Sequence, residues 1–268
     1  TKNGVEIKNV VKGNQFIIGR LYRYITLILG LKPNEHEYKV MGLAPYCKPK
    51  YYKDTLDIFR KFQKVKGLKF VDLKRPKDLY FGVKSLIDTK RFDAIAGGLQ
   101  AYTEELVSNW ILNCIKKTRV KNICLAGGVA LNVKSNYLIS KFSKVKSIYV
   151  PPSPDDSSQS MGACFAAYLS YYNKNSYLPK PKHLKNSYLG YDIKEDKVIK
   201  KINTLRSKGY ILKKGNVNKI AANLIFSGKI IGRIADRAEF GARSLGNRSI
   251  LANPSNPEIK KIINEKIK

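Results

Sequence analysis

The sequence predicts an α/β protein with a parallel sheet, and three observations support this class. Two short apolar segments, NICLA (residues 122–126) and SIYVPP (residues 147–152), are typical of strands. A polar loop and then a helical pattern follow each segment, which is the order of a strand–helix–strand unit. Such a unit pairs its strands in parallel, and ligands collect at the carboxyl ends of the strands. We therefore expect the two polar loops to face one site.

A long helix is predicted ahead of this unit. From Asp93 onward apolar residues recur at helical spacing, and Asp93 is placed to cap the helix. Trp110 closes the row and is expected to belong to the core and not to a ligand site. The row consists of Ile95, Leu99, Tyr102, Leu106 and Trp110.

A second α/β domain is predicted after a polar linker that contains two prolines, residues 173–186. It begins with a helix near residues 194–207 and a strand around Tyr210 to Leu212. A second helix, the strand KIIGRIA (residues 229–235) and a final helix capped by Asn256 follow. The stretch before the long helix, residues 51–88, is predicted to form a helix and a peripheral excursion.

Charge alone would suggest a nucleic-acid partner, since the formal net charge is +31. The lysines are scattered along the whole chain, however, and no aromatic stacking motif accompanies them. We therefore do not expect nucleic acid as the physiological partner. No apolar run is long enough to span a membrane and no secretory signal is visible, so we expect a cytoplasmic protein.

Metal-binding residue types are sparse. The four cysteines are far apart with no CxxC pair, which indicates reduced, buried thiols. The two histidines, His36 and His183, form no HxxxH or HExxH pair. Any metal site built from this chain would therefore contain little histidine.

The stretch DRAEFGARSLGNRSILANP (residues 236–254) uses arginine in a chain that elsewhere prefers lysine. Arginine presents a rigid planar fork of donors suited to carboxylate or phosphate, and the glycines between the arginines allow tight turns. An oxyanion site and a surface turn with salt bridges to Asp236 and Glu239 both explain the pattern. We call residues 236–248 the arginine loop. Its arginines are Arg237, Arg243 and Arg248.

Two further loops could carry chemistry. Residues 127–132, GGVALN, here called the glycine turn, connect a strand to a helix and could bind an anion or simply allow tight packing. Residues 153–158, here called the aspartate loop, contain Asp155 and Asp156 before a helix. Either carboxylate could cap that helix or bind a divalent metal, and Gly162 would let a flat ligand approach.

Four motifs in order are more specific than any one of them. They are EHEYKVMGLAPY (residues 35–46), LAGGVALNVKSN (residues 125–136), PDDSSQSMGA (residues 154–163) and the arginine-rich stretch. In this order they resemble the O-carbamoyltransferase family of the NodU and TobZ type, whose members carbamoylate hydroxyl groups on nodulation factors and antibiotics. The last stretch is similar to the family's most distinctive motif, GRxEFGPRALGxRSILADP. The resemblance spans nearly the whole chain.

The resemblance implies the second lobe of an actin/hexokinase-like carbamoyl-transfer domain at residues 1–180. The start of a YrdC-like α/β domain, which forms carbamoyl-adenylate, would follow at residues 187–268. The implied co-substrates are ATP and carbamoyl phosphate, and the implied cofactor is a divalent metal, Fe or Mg. The acceptor would be a hydroxyl of a small molecule such as a sugar or a natural-product intermediate, and a homodimer is one possible assembly.

Site residues are implied by motif position. Gly127, Gly128 and Asn132 would face the nucleotide phosphates, and Gly162 would border the nucleoside. Asp156 would be a metal ligand. The residues that would hold carbamoyl phosphate, or stabilise charge on its phosphoryl oxygens, are Arg237, Arg243 and Arg248.

The chain also departs from the family pattern. It lacks the upstream HxxxH pair that supplies the family's other metal ligands, the amino-terminal lobe, and most of the YrdC-like part. Ala242 stands where the family has proline, and Asp236 where it has glycine. We therefore expect the middle of a longer enzyme that is inactive by itself. The alternatives are a basic module that binds tRNA or another polyanion, a relative of the tRNA threonylcarbamoyl-transfer enzymes, and a non-catalytic remnant.

Overall fold

The chain divides into two compact units, one ending at Pro181 and the other beginning at Lys182. The predicted linker at residues 173–186 lies mostly outside the described residues. The structure is a computed structural model, and the residues that it describes are 13, 15–174, 184–192, 195–211, 213 and 215–267.

The first unit combines helices with two strand pairs. Strands β3 and β4 are parallel, with Ile123 opposite Ile148, which confirms the predicted strand–helix–strand unit. Strands β1 and β2 form an antiparallel hairpin that the sequence predicted only as a peripheral excursion. In chain order the elements are α1 (Ile18–Ile28), α2 (Glu37–Leu43), α3 (Pro49–Arg60), β1 (Gln63–Lys66), β2 (Lys69–Asp72), α4 (Leu79–Ile87), α5 (Phe92–Thr118), β3 (Asn122–Cys124), α6 (Val133–Ser140), β4 (Ser147–Tyr149) and α7 (Gln159–Lys174).

Helix α5 is the centre of the first unit's core. The predicted row from Ile95 to Leu106 is buried, since it packs against α1, α3 and the chain around them. Gly98 permits the close approach of α3, because a Cβ there would lie 2.9 Å from the backbone nitrogen of Leu56. Trp110 is partly buried, and its Nε1 donates to the carbonyl of Leu68 at 3.0 Å. The tryptophan therefore has the structural role expected from its place in the row.

The predicted cap of α5 by Asp93 is wrong. The helix begins one residue earlier, at Phe92, with Arg91 in the cap position. The carboxylate of Asp93 instead accepts from the Arg91 guanidinium, at 3.1 Å from Nε and 2.8 Å from Nη2. This two-point ion pair occupies the carboxylate and lowers its pKa.

The carboxyl-terminal half of α5 supports the parallel strand pair. Ile111 and Ile115 pack with Ile139 of α6, and Ile123 and Ile148 of the strands lie against the same cluster. This packing fixes where β3 and β4 end, and therefore where the two polar loops begin.

The second unit is thinly packed. None of its side chains with a described exposure is fully buried, so local hydrogen bonds contribute a larger share of its stability. Strands β5 and β6 are antiparallel, with Gly232 opposite Ile250. The predicted strand KIIGRIA is confirmed as β5. The elements are α8 (Glu195–Ser207), α9 (Val217–Phe226), β5 (Ile231–Ile234), β6 (Arg248–Leu251) and α10 (Ile259–Ile267).

Other sequence predictions were wrong. Tyr210 and Ile211 do not form a strand, and Leu212 lies outside the described residues. All four cysteines are free, but only Cys47 is buried, while Cys124 and Cys164 are exposed. In the described ranges, no helix combines the length and the apolar character needed to cross a membrane.

Candidate functional site

The two polar loops of the first unit meet at the carboxyl ends of β3 and β4. The N–H of Leu125 donates to the carbonyl of Tyr149 at 3.0 Å, which extends the parallel ladder beyond the strands. The N–H of Gly127 then donates to the carbonyl of Pro154 at 2.7 Å. The glycine turn and the aspartate loop are therefore held against each other, as the strand order predicted.

The glycine turn has an open backbone surface. Gly127 has φ +97°, a conformation that favours glycine, and a Cβ added at Gly127 or Gly128 would meet no atom within 4 Å. The same holds for Gly162 in the first turns of α7. This space is what a phosphate or a flat ligand would require. Because the N–H of Gly127 is bonded to Pro154, an anion here would depend on other donors of the turn.

Asn132 ends the glycine turn and is buried. Its Oδ1 accepts from the N–H of Ser135 at 3.0 Å, which caps α6. Its amide also forms a reciprocal pair with Gln100 of α5, at 3.1 Å and 2.9 Å. Contact between Asn132 and nucleotide phosphates stays a prediction, because the structure shows these atoms bonded to protein partners.

Tyr22 of α1 completes this network. Its hydroxyl donates to Oε1 of Gln100 and lies 3.3 Å from Nδ2 of Asn132. Burial raises the pKa of the Tyr22 hydroxyl above its ordinary value, so the group remains a neutral donor. The network ties the glycine turn to two core helices. Neither Tyr22 nor Gln100 was identified from the sequence, since only tertiary folding brings them to Asn132.

The two aspartates of the aspartate loop have different roles. Asp155 caps the short turn at residues 156–158, since its Oδ1 accepts from the N–H of Ser157 at 3.1 Å and from the hydroxyl of Ser153 at 2.8 Å. Burial acts to raise the pKa of Asp155, but these hydrogen bonds outweigh it and the pKa is lowered. Asp156 is exposed and accepts from Nε2 of Gln159 at 2.9 Å.

The residues present do not form a complete metal site. Among the described residues, no three His, Cys, Asp or Glu side chains lie together in a way that could hold a metal ion. Asp155 is engaged as a cap, so Asp156 would provide a single carboxylate. Its role as a metal ligand stays a prediction, and no chemical step below depends on a metal.

The arginine loop connects β5 to β6 and folds around a carboxylate of its own. Oε1 of Glu239 accepts from the N–H groups of Leu245 at 2.8 Å, Asn247 at 2.6 Å and Arg248 at 3.2 Å. Gly246 adopts φ +110°, which lets these donors converge on one oxygen. The sequence suggested Glu239 only as a salt-bridge partner; its contact with the backbone was missed.

The three arginines of the loop are used differently. Arg248 donates to carbonyls, from Nη1 to Ala235 at 2.7 Å and from Nη2 to Asp236 at 3.2 Å. Arg237 donates from Nε to the carbonyl of Gly190 at 2.7 Å, with its side chain half exposed. Arg243 is exposed near the middle of the loop. Arg248 therefore braces the loop. Arg237, whose Nε also lies 3.4 Å from Oδ1 of Asp192, and Arg243 have more exposed side chains.

Two neighbours that the sequence did not identify support the loop. Arg233 of β5 donates to the carbonyl of Gly246 at 2.9 Å and to Oδ1 of Asn218 of α9 at 3.2 Å. Gly190 packs closely against Ala238, because a Cβ added at Gly190 would lie 2.7 Å from the Cβ of Ala238. No periodic or motif signal marks either residue, because their partners are distant in the chain.

The Glu239 contact predicts an acid-sensitive loop. Desolvation acts to raise the pKa of Glu239, but its own N–H and the three donors of the loop outweigh it and lower the pKa from 4.5 to about 2. A lowered folded-state pKa means that the stabilisation is present above pH 4.5 and is lost as the pH falls through about 2. We expect the amide NMR shifts of Leu245, Asn247 and Arg248 to titrate together near that pH. The same titration in Glu239→Gln would contradict this assignment.

Family models match residues of both units. A family model described as "Carbamoyltransferase N-terminus" matches residues 2–165, which include the glycine turn and the aspartate loop. A second, described as "Carbamoyltransferase C-terminus", matches residues 222–268, which include the arginine loop. The chain therefore belongs to the carbamoyltransferase family.

Relatives agree with the NodU type of this family. An uncharacterized protein of Synechocystis sp. is 31% identical over 270 residues, covering 94% of this chain and 44% of the relative. Nodulation protein NolO of Bradyrhizobium diazoefficiens is 30% identical over 240 residues, covering 87% and 42%. Nodulation protein U of Sinorhizobium fredii is 30% identical over 145 residues, covering 54% and 23%. The chain thus spans less than half the length of these relatives.

Proposed function

We propose that the chain is part of an ATP-dependent O-carbamoyltransferase of the NodU and TobZ type. The enzyme would make carbamoyl-adenylate from carbamoyl phosphate and ATP, and pass the carbamoyl group to a hydroxyl of a small-molecule or sugar acceptor. The observation that carries the proposal is the arginine loop. An internal carboxylate orders its backbone, and the side chains of Arg237 and Arg243 are exposed.

The reaction balances without a redox partner. ATP, carbamoyl phosphate and water would give carbamoyl-adenylate, pyrophosphate and phosphate. The acceptor hydroxyl would then attack the carbamoyl carbon and lose its proton, while AMP leaves. Phosphoryl groups carry negative charge throughout the first step, so preorganised guanidinium donors would stabilise the reactants and the developing charge.

The first unit would hold the nucleotide. The open backbone at Gly127 and Gly128 would admit phosphates, and Gly162 would leave room for the nucleoside beside α7. Asn132 would act mainly by holding the glycine turn in place through Gln100 and Ser135. These assignments rest on the motif order and on the space at the three glycines.

The domain identities belong to the same proposal. The parallel pair β3–β4 with its two following helices is consistent with the second lobe of an actin/hexokinase-like domain at residues 1–180. The antiparallel pair β5–β6 with its long loop would belong to a YrdC-like domain that begins near residue 187. The hydroxyl acceptor is implied by the family resemblance, and a cytoplasmic location is proposed from the sequence.

The proposal is tested by pyrophosphate release from the parent protein that contains this chain. We expect release from MgATP only when carbamoyl phosphate is present. Reactions that contain ATP with carbamate, and ATP with phosphate, serve as controls. Adding candidate acceptors should then increase AMP formation. A folded parent protein that releases no pyrophosphate with both substrates would overturn the adenylation mechanism.

A further inference from the structure

Inside the arginine loop, a carboxylate oxygen of Glu239 takes the position that an external anion would occupy. Three backbone N–H groups within four residues point at Oε1 of Glu239, at 2.6 to 3.2 Å. Converging backbone donors of this kind form an anion-binding concavity. Hydrogen bonds to a charged acceptor are about twice as strong as neutral ones, so this carboxylate is a major organiser of the loop.

The same hydrogen bonds determine the position of Arg243, the arginine proposed to bind the substrate. The bond from Leu245 to Glu239 closes the segment 239–245, and Arg243 lies inside it. The bond from Arg248 to Glu239 closes the longer segment that reaches β6. Without these closures, the backbone that carries Arg243 would lose two internal restraints, and the second unit has no fully buried described side chain to replace them.

A second set of contacts also restrains the loop. Nδ2 of Asn247 donates to the carbonyl of Arg237 at 2.9 Å, and the N–H of Phe240 donates to the carbonyl of Ser187 at 2.7 Å. The Arg248 guanidinium holds the carbonyls of Ala235 and Asp236. Arg233 also donates to the carbonyl of Gly246 at 2.9 Å, and the hydroxyl of Tyr188 donates to the carbonyl of Leu245 at 3.4 Å. Among these contacts, the carboxylate of Glu239 is the one that gathers three backbone N–H groups of the loop on one oxygen.

We propose that Glu239 is the positioning residue of the arginine loop: its carboxylate fills the ring of backbone donors and thereby holds Arg243 in the place where an oxyanionic substrate binds. Glu239 does not itself touch the substrate. The proposal rests on the proposed function for its substrate, carbamoyl phosphate, but its structural half can be measured without any activity.

The test uses the parent protein with Glu239→Ala, Glu239→Gln and the control Glu258→Ala, which removes an exposed carboxylate from the same unit. In Glu239→Ala we expect the hydrogen-exchange protection of Leu245, Asn247 and Arg248 to be lost. We also expect the KM for carbamoyl phosphate to rise at least tenfold, with a smaller change in kcat. Added formate, which is small enough to replace the carboxylate among the three backbone donors, should partly restore the exchange protection and the KM in this variant only.

Glu239→Gln keeps an acceptor oxygen without the charge, so we expect partial protection and a smaller rise in KM. If the alanine variant does not fold, the glutamine variant decides the question. Unchanged exchange protection in the variants would overturn the structural half of the proposal. Lost exchange protection with an unchanged KM would overturn the claim that Glu239 positions Arg243 for the substrate. A wild-type protein that releases no pyrophosphate would overturn the proposed function and leave the structural half of this proposal standing.

Discussion

Replacing Arg243 with alanine is expected to reduce carbamoyl-phosphate-dependent pyrophosphate release by about 100-fold, the usual cost of removing one preorganised donor from a site that stabilises developing charge. The side chain is exposed on a loop whose backbone is ordered by Glu239. Removal should eliminate a donor to the substrate, while the three backbone bonds to Glu239, which do not involve the Arg243 side chain, remain. The measurement is steady-state pyrophosphate release by the parent protein, with kcat and KM determined separately.

Two controls make this result specific. Arg243→Lys retains the positive charge but not the planar fork, and we expect it to recover only part of the lost rate. Arg20→Ala removes an exposed arginine of α1 in the other unit and should have no effect. If instead each removal of positive charge weakened binding to a polyanion equally, with a steep salt dependence, the polyanion-binding hypothesis would be favoured.

Replacing Asn132 with alanine is expected to lower the free energy of unfolding of the first unit by about 3 kcal/mol. Loss of the cap to Ser135 accounts for about 1 kcal/mol. Gln100 and Tyr22, both buried, would also lose a partner, and leaving such groups unsatisfied costs about 1 to 3 kcal/mol. Urea denaturation followed by the fluorescence of Trp110, the single tryptophan, reports on the unit that contains it.

Asp78→Ala is the matched control for this variant. Asp78 is exposed and caps α4, with its Oδ1 2.8 Å from the N–H of Phe81. Its loss removes a cap without leaving buried groups unpaired, so we expect a cost of about 1 kcal/mol. Equal losses in the two variants would show that the buried network adds nothing to the cap.

The two results together separate two ways in which family motif residues can matter. Asn132 and Arg248 have donors and acceptors bonded to the protein itself, so they maintain the shape of their loops. The side chain of Arg243 is exposed, and a Cβ at Gly128 or Gly162 would meet no atom within 4 Å; we propose that these three residues meet a ligand. A motif alone cannot distinguish these roles, because a residue that shapes the loop and a residue that meets a ligand both appear only as one letter of the motif.

Local patterns were sufficient to predict several elements. The apolar row of α5 was predicted because helical spacing places those residues on one face, and they are buried as expected. The parallel pair β3–β4 was predicted because a strand, a helix and a strand in succession leave few other arrangements. The family was recognised from four ordered motifs, a property of residue identity that needs no structure.

Other features depend on residues that are far apart in the chain. Asn132 meets Gln100 and Tyr22, which precede it by 32 and 110 positions, and no local pattern could pair them. Asp93 was predicted as a helix cap, but a neighbouring guanidinium competes for its carboxylate.

The arginine loop illustrates both what residue types predict and what only the folded structure determines. Its residue types by themselves were explained equally by an oxyanion site, because guanidinium forks and glycines suit phosphate, and by a surface turn with salt bridges. Only the tertiary structure decided that Glu239 supplies the loop's internal anion and that Arg248 turns to backbone carbonyls. The physical reason is that hydrogen-bond partners are chosen by distance and direction in the folded chain, and composition and spacing do not determine either.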